Sequence, residues 1–221
     1  MASEVKVDKL AQKGSSGIVI TDDIKLSSGK AIKNASGTAL LGEDGALGSG
    51  VTGFPAGGIT EADYWRLTTS FDGSEDPITS NLERCDTYGA PETGQLLGTG
   101  MTFDDGTGIF TFPSEGYWSI TFNLEVSYAG DSRFNSAKIL VSTNADSGAT
   151  YNVHTITYTF IQITSSSTTY ASASTSCLID VTSTSAVKVC FAVGSIAGSA
   201  TCIGNSATNR TSMQFLKLGD T

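Results

Sequence analysis

Between Phe103 and Tyr128 the chain reads FDDGTGIFTFPSEGYWSITFNLEVSY. Phe110 and Phe112 stand two apart before Pro113, and Trp118, Ile120 and Phe122 stand two apart after Gly116. Large apolar side chains at a period of two lie on one face of an extended strand, not on one face of a helix. Pro113 ends the first strand and Gly116 permits the turn into the second. The spacing therefore predicts two aromatic-rich strands joined as a hairpin. Phe103, Phe110, Phe112, Trp118, Ile120 and Phe122 are the expected packing residues, with Trp118, Ile120 and Phe122 filling the inner face at about 1.5–3 kcal/mol of burial each.

The same period runs through the rest of residues 59–221. Trp65, Leu67 and Thr69 alternate with Arg66, Thr68 and Ser70 in a first strand. A long polar loop with Pro77 and Pro91 follows, anchored by Leu82 and Leu96. Arg133 to Thr143 alternates around Ile139 and Val141. Thr155 to Ile163 sets Ile156, Tyr158 and Phe160 against Thr157 and Thr159. Tyr170 to Val181, Val187 to Val193 and Thr211 to Leu218 complete the set. Strands recur between turn signals and no ten-residue amphipathic helix appears, so the expected class is an all-β sandwich or barrel. TEADYW, residues 60–65, reads as a short helical turn, with Thr60 and Asp63 spaced as a cap.

Residues 1–58 are of another kind. Tyr and Trp are absent, and Gly29, Gly37, Gly45 and Gly53 recur every eight residues with short apolar patches between them. A short strand and a Gly turn, repeated, cannot bury an apolar face alone, but several chains wrapped together can. We read the segment as extended, β-structured and trimer-forming; the alternative is a Gly-rich linker. Val5, Val7 and Leu10 alternate with charges at the start, as an edge strand, a docking peptide or a tail. GVTGFPAGGIT, residues 50–60, marks the boundary, giving an N-terminal segment 1–58 and a head 59–221.

Net charge is −9, with 13 Lys and Arg against 22 Asp and Glu. All of the imbalance lies beyond residue 60, which disfavours a phosphate-backbone partner. No apolar run approaches the length of a bilayer span, and Met1 to Lys9 is polar and charged, so the expectation is a chain made in a cytoplasm and not inserted into a membrane. Cys85, Cys177, Cys190 and Cys202 lack CxxC spacing. Cys177 and Cys190, taken as lying on neighbouring strands, fall on opposite faces once both apolar sets are buried, so free thiols are expected.

The order Phe103, six residues, Phe110, five residues, Gly116, then Trp118, Ile120 and Phe122 resembles the signature of the complement C-one-q globular head, a jelly roll related to tumour necrosis factor. Trp118 stands where the family has Tyr, and Ile120 where it has Phe. Upstream, Gly98 stands where it has Asn or Asp, and Glu92 where it has Phe. The resemblance implies a jelly-roll head, a homotrimer, and a seam to which the named aromatics contribute. The wider layout resembles bacteriophage fibre proteins, through SSGKAIKNASGTALL, YWRLTTSF, SNLER, GTGMTF, GIFTFPSEGYW and FLKLGDT in that order. It implies a virion protein assembled in the host cytoplasm, anchored to another virion protein through its N-terminus, with Val5, Val7 and Leu10 as anchoring residues. Its head would project and bind a host-surface glycan or protein.

The chain carries no catalytic constellation, and no enzyme activity, cofactor or metal is expected. His154 is the only histidine, so a histidine-based triad has no second imidazole to draw on, and we read it as a loop or core residue. Asp104 and Asp105 precede Gly106, which turn chemistry explains without calcium. GSEDP, residues 73–77, reads as a solvated acidic loop. Asp131, Ser132 and Arg133 read as a turn into a strand. Tyr64, Trp65 and Tyr88 read as packing residues, with a sugar-binding face as the other reading. The rival class is a cell-encoded lectin-like or adhesin module.

Overall fold

The computed structural model describes residues 58–85, 96–164 and 167–221, together with the backbone of residues 32–33 and 39–41. The chain divides into two compact units, Met1–Ala56 and Gly57–Thr221. In the first, β1 (Ile32–Lys33) and β2 (Ala39–Leu41) pair antiparallel, with Ile32 opposite Leu41. Val5, Val7, Leu10 and the rest of the Gly-spaced segment lie outside the described residues.

The second unit is all-β. Its strands are β3 (Ala62–Leu67), β4 (Phe71–Asp72), β5 (Leu82–Arg84), β6 (Leu96–Leu97), β7 (Thr102–Asp104), β8 (Ile109–Thr111), β9 (Gly116–Tyr128), β10 (Ser132–Ser142), β11 (Asn152–Ile161), β12 (Thr169–Val181), β13 (Lys188–Gly194), β14 (Thr201–Cys202) and β15 (Ser212–Gly219). One sheet has the order β11-β10-β13-β8-β7. The other runs β4-β14-β9-β15-β3-β5, with β12 along the free side of β9 and β6 beside β3. The described pairings are antiparallel. The chain changes sheet between β6 and β7, β8 and β9, β9 and β10, β11 and β12, β12 and β13, and β13 and β14. Those crossings make the unit a jelly roll.

They also correct the expected hairpin. β8 and β9 do not pair: β8 lies between β7 and β13, while β9 is flanked by β12, β15 and β14. Pro113 to Glu115 carries the chain from one sheet to the other. Side by side, the two aromatic sets would share one layer and leave it uncovered. Facing each other, they bury both, and Phe112 meets Trp118 across the interior with ring centroids 5.4 Å apart. The hairpin in this region is β7–β8, with Phe103 opposite Phe110. Phe110 is the hub of the core, its ring 5.2 Å from Trp65, 5.5 Å from Phe191 and 5.2 Å from Phe215. Gly116 has φ of +134°, and a Cβ there would strike the Gly219 carbonyl oxygen, so this crossing requires glycine.

Other expectations change too. TEADYW is not a helical turn, since β3 starts at Ala62 and pairs with β15 and β5. Asp63, Trp65 and Leu67 are buried, and a helical turn would pull Trp65 off the Phe103 and Phe110 rings. Residues 71–98 contain β4, β5 and β6, and Leu96 is exposed, while Leu82 packs partly buried on the core. GSEDP is no free loop: Glu75 exchanges backbone hydrogen bonds with Val193, and Asp76 pairs with Lys138 at 3.0 Å. Cys177 and Cys190 lie on β12 and β13 in different sheets, so they are not on neighbouring strands.

Candidate functional site

β10 starts irregularly. Ser132 stands opposite Ile161 and Asn135 opposite Thr159, so three steps on β10 match two on β11. The extra residue is a bulge at Arg133 and Phe134, with Phe134 at φ +58°. Buried side chains hold it. Ser132 Oγ donates to Asn135 Oδ1, Asn135 Nδ2 donates to the Ser132 carbonyl at 3.3 Å, and the Ala197 N–H donates to Ser132 Oγ at 3.2 Å. On the neighbouring turn, Asp131 Oδ1 accepts from the Ile163 N–H at 2.8 Å. The bulge throws Arg133 and Phe134 outward, where Phe134 is 66% exposed.

β11 meets it with an unusual face. Thr155, Thr157 and Thr159 are half-buried, whereas Ile156, Tyr158 and Phe160 point out, Tyr158 56% and Phe160 69% exposed. The apolar half of the alternation is the solvent half. Phe134 and Tyr158 stand edge to face, centroids 6.4 Å apart at 87°. Asp131, Arg133 and Phe134 on one side and Tyr158, Phe160 and Gln162 on the other enclose an open concavity of about 480 Å³.

A second surface lies along β12. Its outward residues Ser172, Ser174 and Ser176 run between Tyr170 and Leu178, which are 59% and 57% exposed. Ser174 Oγ donates to Asn123 Oδ1 of β9 at 2.8 Å. Across the outward positions of β12, β9 and β15 the charged side chains are Asp180 and Glu125, the latter paired with Arg210 at 2.6 Å. β11 and β12, 10 and 13 residues long, are the free edges of their sheets. Thr155 and Thr175 join across them, Oγ1 to Oγ1 at 2.7 Å. Between the two edges the interior positions Ala171, Ala173 and Cys177 are only partly covered.

Nucleophilic and metal chemistry find little purchase. Among the described residues no group of three His, Cys, Asp or Glu side chains is placed to hold a metal ion. His154 sits exposed on β11, neither in a loop nor in the core as the sequence suggested. The four cysteines are free thiols. Burial pushes the Cys177 thiol up to about 11. Burial, with Asp76 adding to it, pushes Cys190 up to about 12, and burial outweighs the Thr211 hydrogen bond to push Cys202 up to about 12. Such thiols are poor nucleophiles at neutral pH.

Phe110, Phe112, Trp118, Ile120 and Phe122 are buried in the core, and Phe103 packs against it half-covered. None of the six lines the concavity. Tyr64 lies on the outer face of β3, Trp65 is in the core, and Tyr88 is outside the described residues. The aromatics that do face solvent together, Phe134, Tyr158 and Phe160, were missed as a site. Their signal was present in the Ile-Tyr-Phe against Thr alternation, which does not say which half is inside.

No protein-family model and no curated protein matches the sequence. Among solved structures, the chain is similar to the Eiger TNF from S. frugiperda, at 13% identity over 74% of this chain and 96% of that one, with a TM-score of 0.46. It is also similar to murine APRIL, at 11% identity over 72% of this chain and 98% of that one, with a TM-score of 0.42.

Proposed function

We propose that the chain is a non-enzymatic structural protein that works as a homotrimer through its jelly-roll unit. The observation that carries this reading is the pair of free edges, β11 and β12. Long free edges invite pairing, and proteins that remain single chains blunt them with Lys, Pro or very short strands. Here the two strands contain no Lys and no Pro, and their only acidic residue is Asp180. The adjoining serine-rich outer face has little charge to desolvate, which suits burial against further copies. Light scattering on the full chain should give about three times its 22.9 kDa mass. A monomer at micromolar concentration refutes the assembly.

Within that reading the trimer is a virion component, a fibre, spike or capsid decoration protein. Its N-terminal segment, with Val5, Val7 and Leu10, attaches to another particle protein, and its head projects toward the host surface. The support is the ordered run of fibre-like motifs and the Gly-spaced segment ahead of the head. A truncation lacking residues 1–58 should keep a folded head and lose particle attachment; retained attachment places the anchor in the head. The exposed aromatic concavity favours a second reading, a cell-encoded lectin-like or adhesin module. Finding the protein in purified particles decides between the two.

A further inference from the structure

We infer that the concavity at the β10 bulge is a binding site for an acidic saccharide. Arg133 takes the carboxylate, and the faces of Phe134, Tyr158 and Phe160 take the sugar ring. The inference rests on the reading of the head as a surface-binding module, and three independent features carry it.

The first is charge. Residues 61–221 hold seven Lys and Arg: Arg66, Arg84, Arg133, Lys138, Lys188, Arg210 and Lys217. Five of them pair with carboxylates: Arg66 with Glu83, Arg84 with Asp63, Lys138 with Asp76, Arg210 with Glu125 and Lys217 with Asp220. Lys188 donates to Thr111 Oγ1 at 2.9 Å. Among the described residues Arg133 alone has no such partner, on a chain of net charge −9. A planar guanidinium with free donors suits a carboxylate held by two hydrogen bonds.

The second is backbone. A bulky side chain at positive φ is unfavourable, and here a buried Ser132–Asn135 bracket maintains it at Phe134. What the conformation achieves is to stand Phe134 beside Tyr158 and Arg133. The third is shape and surface. Two rings meeting at 87° leave apolar walls, with hydrogen-bonding groups of Asp131 and Gln162 at the rim of a space of about 480 Å³. Pockets of this size with apolar walls and a few polar groups suit small ligands. A sugar ring presents both an apolar C–H face and hydroxyls.

Two other occupants fit less well. A second copy of the chain would have to desolvate Arg133, and Asp131 with only the Ile163 N–H on its Oδ1, without offering a charge seen to match either. Nucleic acid would bring many phosphates to a surface on which, among the described residues, Arg133 is the one cation without a partner, on a chain of net charge −9.

The test is calorimetric titration of the full chain with 3′-sialyllactose and trigalacturonic acid, beside the neutral lactose and the methyl-esterified trisaccharide. At least one acidic probe should bind, with its neutral counterpart about tenfold or more weaker, the loss expected for one charged hydrogen-bonding group. Arg133→Gln should bring the acidic probe to the neutral level, and added salt should weaken it. Phe134→Asn should lose binding while raising the melting temperature, because Asn accepts positive φ; a packing residue would lower it. The inference is overturned if neither acidic probe binds, if neutral and acidic probes bind alike, or if Arg133→Gln binds as before. It is also overturned if Tyr158→Ala or Phe160→Ala turns trimers into monomers, which would make this surface a subunit interface. A monomeric wild-type chain that binds the acidic probe through Arg133 upholds the inference and rejects only the trimer.

Discussion

Asp63→Ala is the substitution with the largest effect that can be worked from single interactions. The Asp63 side chain is fully buried and accepts from five groups on three segments, the part-buried Tyr64 N–H at 2.9 Å among them. Trp65 Nε1 donates at 2.9 Å, Arg84 Nε at 2.9 Å, Arg84 Nη2 at 3.1 Å and the Met101 N–H at 2.7 Å. It thus ties β3 to β5 and to the residue before β7. Removing it strands two buried neutral donors, at roughly 1–3 kcal/mol each. It also unpairs Arg84, whose side chain is 34% exposed. That exposure, with the Met101 carbonyl at 2.6 Å and the Trp65 ring at 5.0 Å, lets water and neighbours compensate much of the charge. The terms overlap, so the expected loss is about 4 kcal/mol and not their sum. For a unit of this size that lowers the melting temperature by about 8–16 °C. The assay is guanidinium unfolding at fixed protein concentration, with thermal melting alongside, because an oligomer's stability depends on concentration. Arg210→Ala, which removes an exposed pair with Glu125, is the control and should lose less than about 1 kcal/mol. If Asp63→Ala loses no more than this control, Asp63 does not hold these strands together and the account of the β3 network is wrong.

Gly116→Ala forces a side chain into positive φ and against the Gly219 carbonyl; a loss above about 2 kcal/mol is expected, against about 1 kcal/mol for Gly106→Ala, where the space is open. Ser174→Arg places a like charge from every copy on the proposed assembly face and should turn a trimeric light-scattering mass into a monomeric one without changing the circular dichroism of the chain. Cys177, Cys190 and Cys202 should react slowly with Ellman's reagent at pH 8 and at once in guanidinium. Their folded pKa values are raised from about 9 in the unfolded chain to about 11, 12 and 12. Below about pH 9 both states hold their protons and these thiols cost no stability. As pH rises from there toward 12, only the unfolded state releases them, so stability should fall across that window. A flat stability profile between pH 9 and 11 would refute the burial of these thiols.

How much could be read in advance varied with the element. For β9 the alternation was enough: Trp118, Ile120 and Phe122 were read as one face, and that face is buried. The Phe103–Phe110 relation came out as a hairpin one turn earlier than expected, because a period of two identifies strands but not their partners. Asp63 was read as part of a helical cap, since a buried carboxylate with five donors leaves no trace in local sequence. The binding concavity was the least legible, because its lining residues are separated by 24 positions along the chain between Phe134 and Tyr158.

By itself the sequence determined that the chain from Trp65 on is rich in strands and without amphipathic helices, that the chain is acidic, and which positions alternate. Those properties are local: side-chain period and charge follow from neighbours along the chain. Tertiary structure alone decided that β8 and β9 face each other across two sheets, and that on β11 the threonines turn inward while Ile156, Tyr158 and Phe160 turn out. On an edge strand either face can be the outer one, and the choice is made by what covers it. There the jelly roll offers the small residues Ala171, Ala173 and Thr175 of β12, and the bulge at Phe134 meets the large ones on the other side.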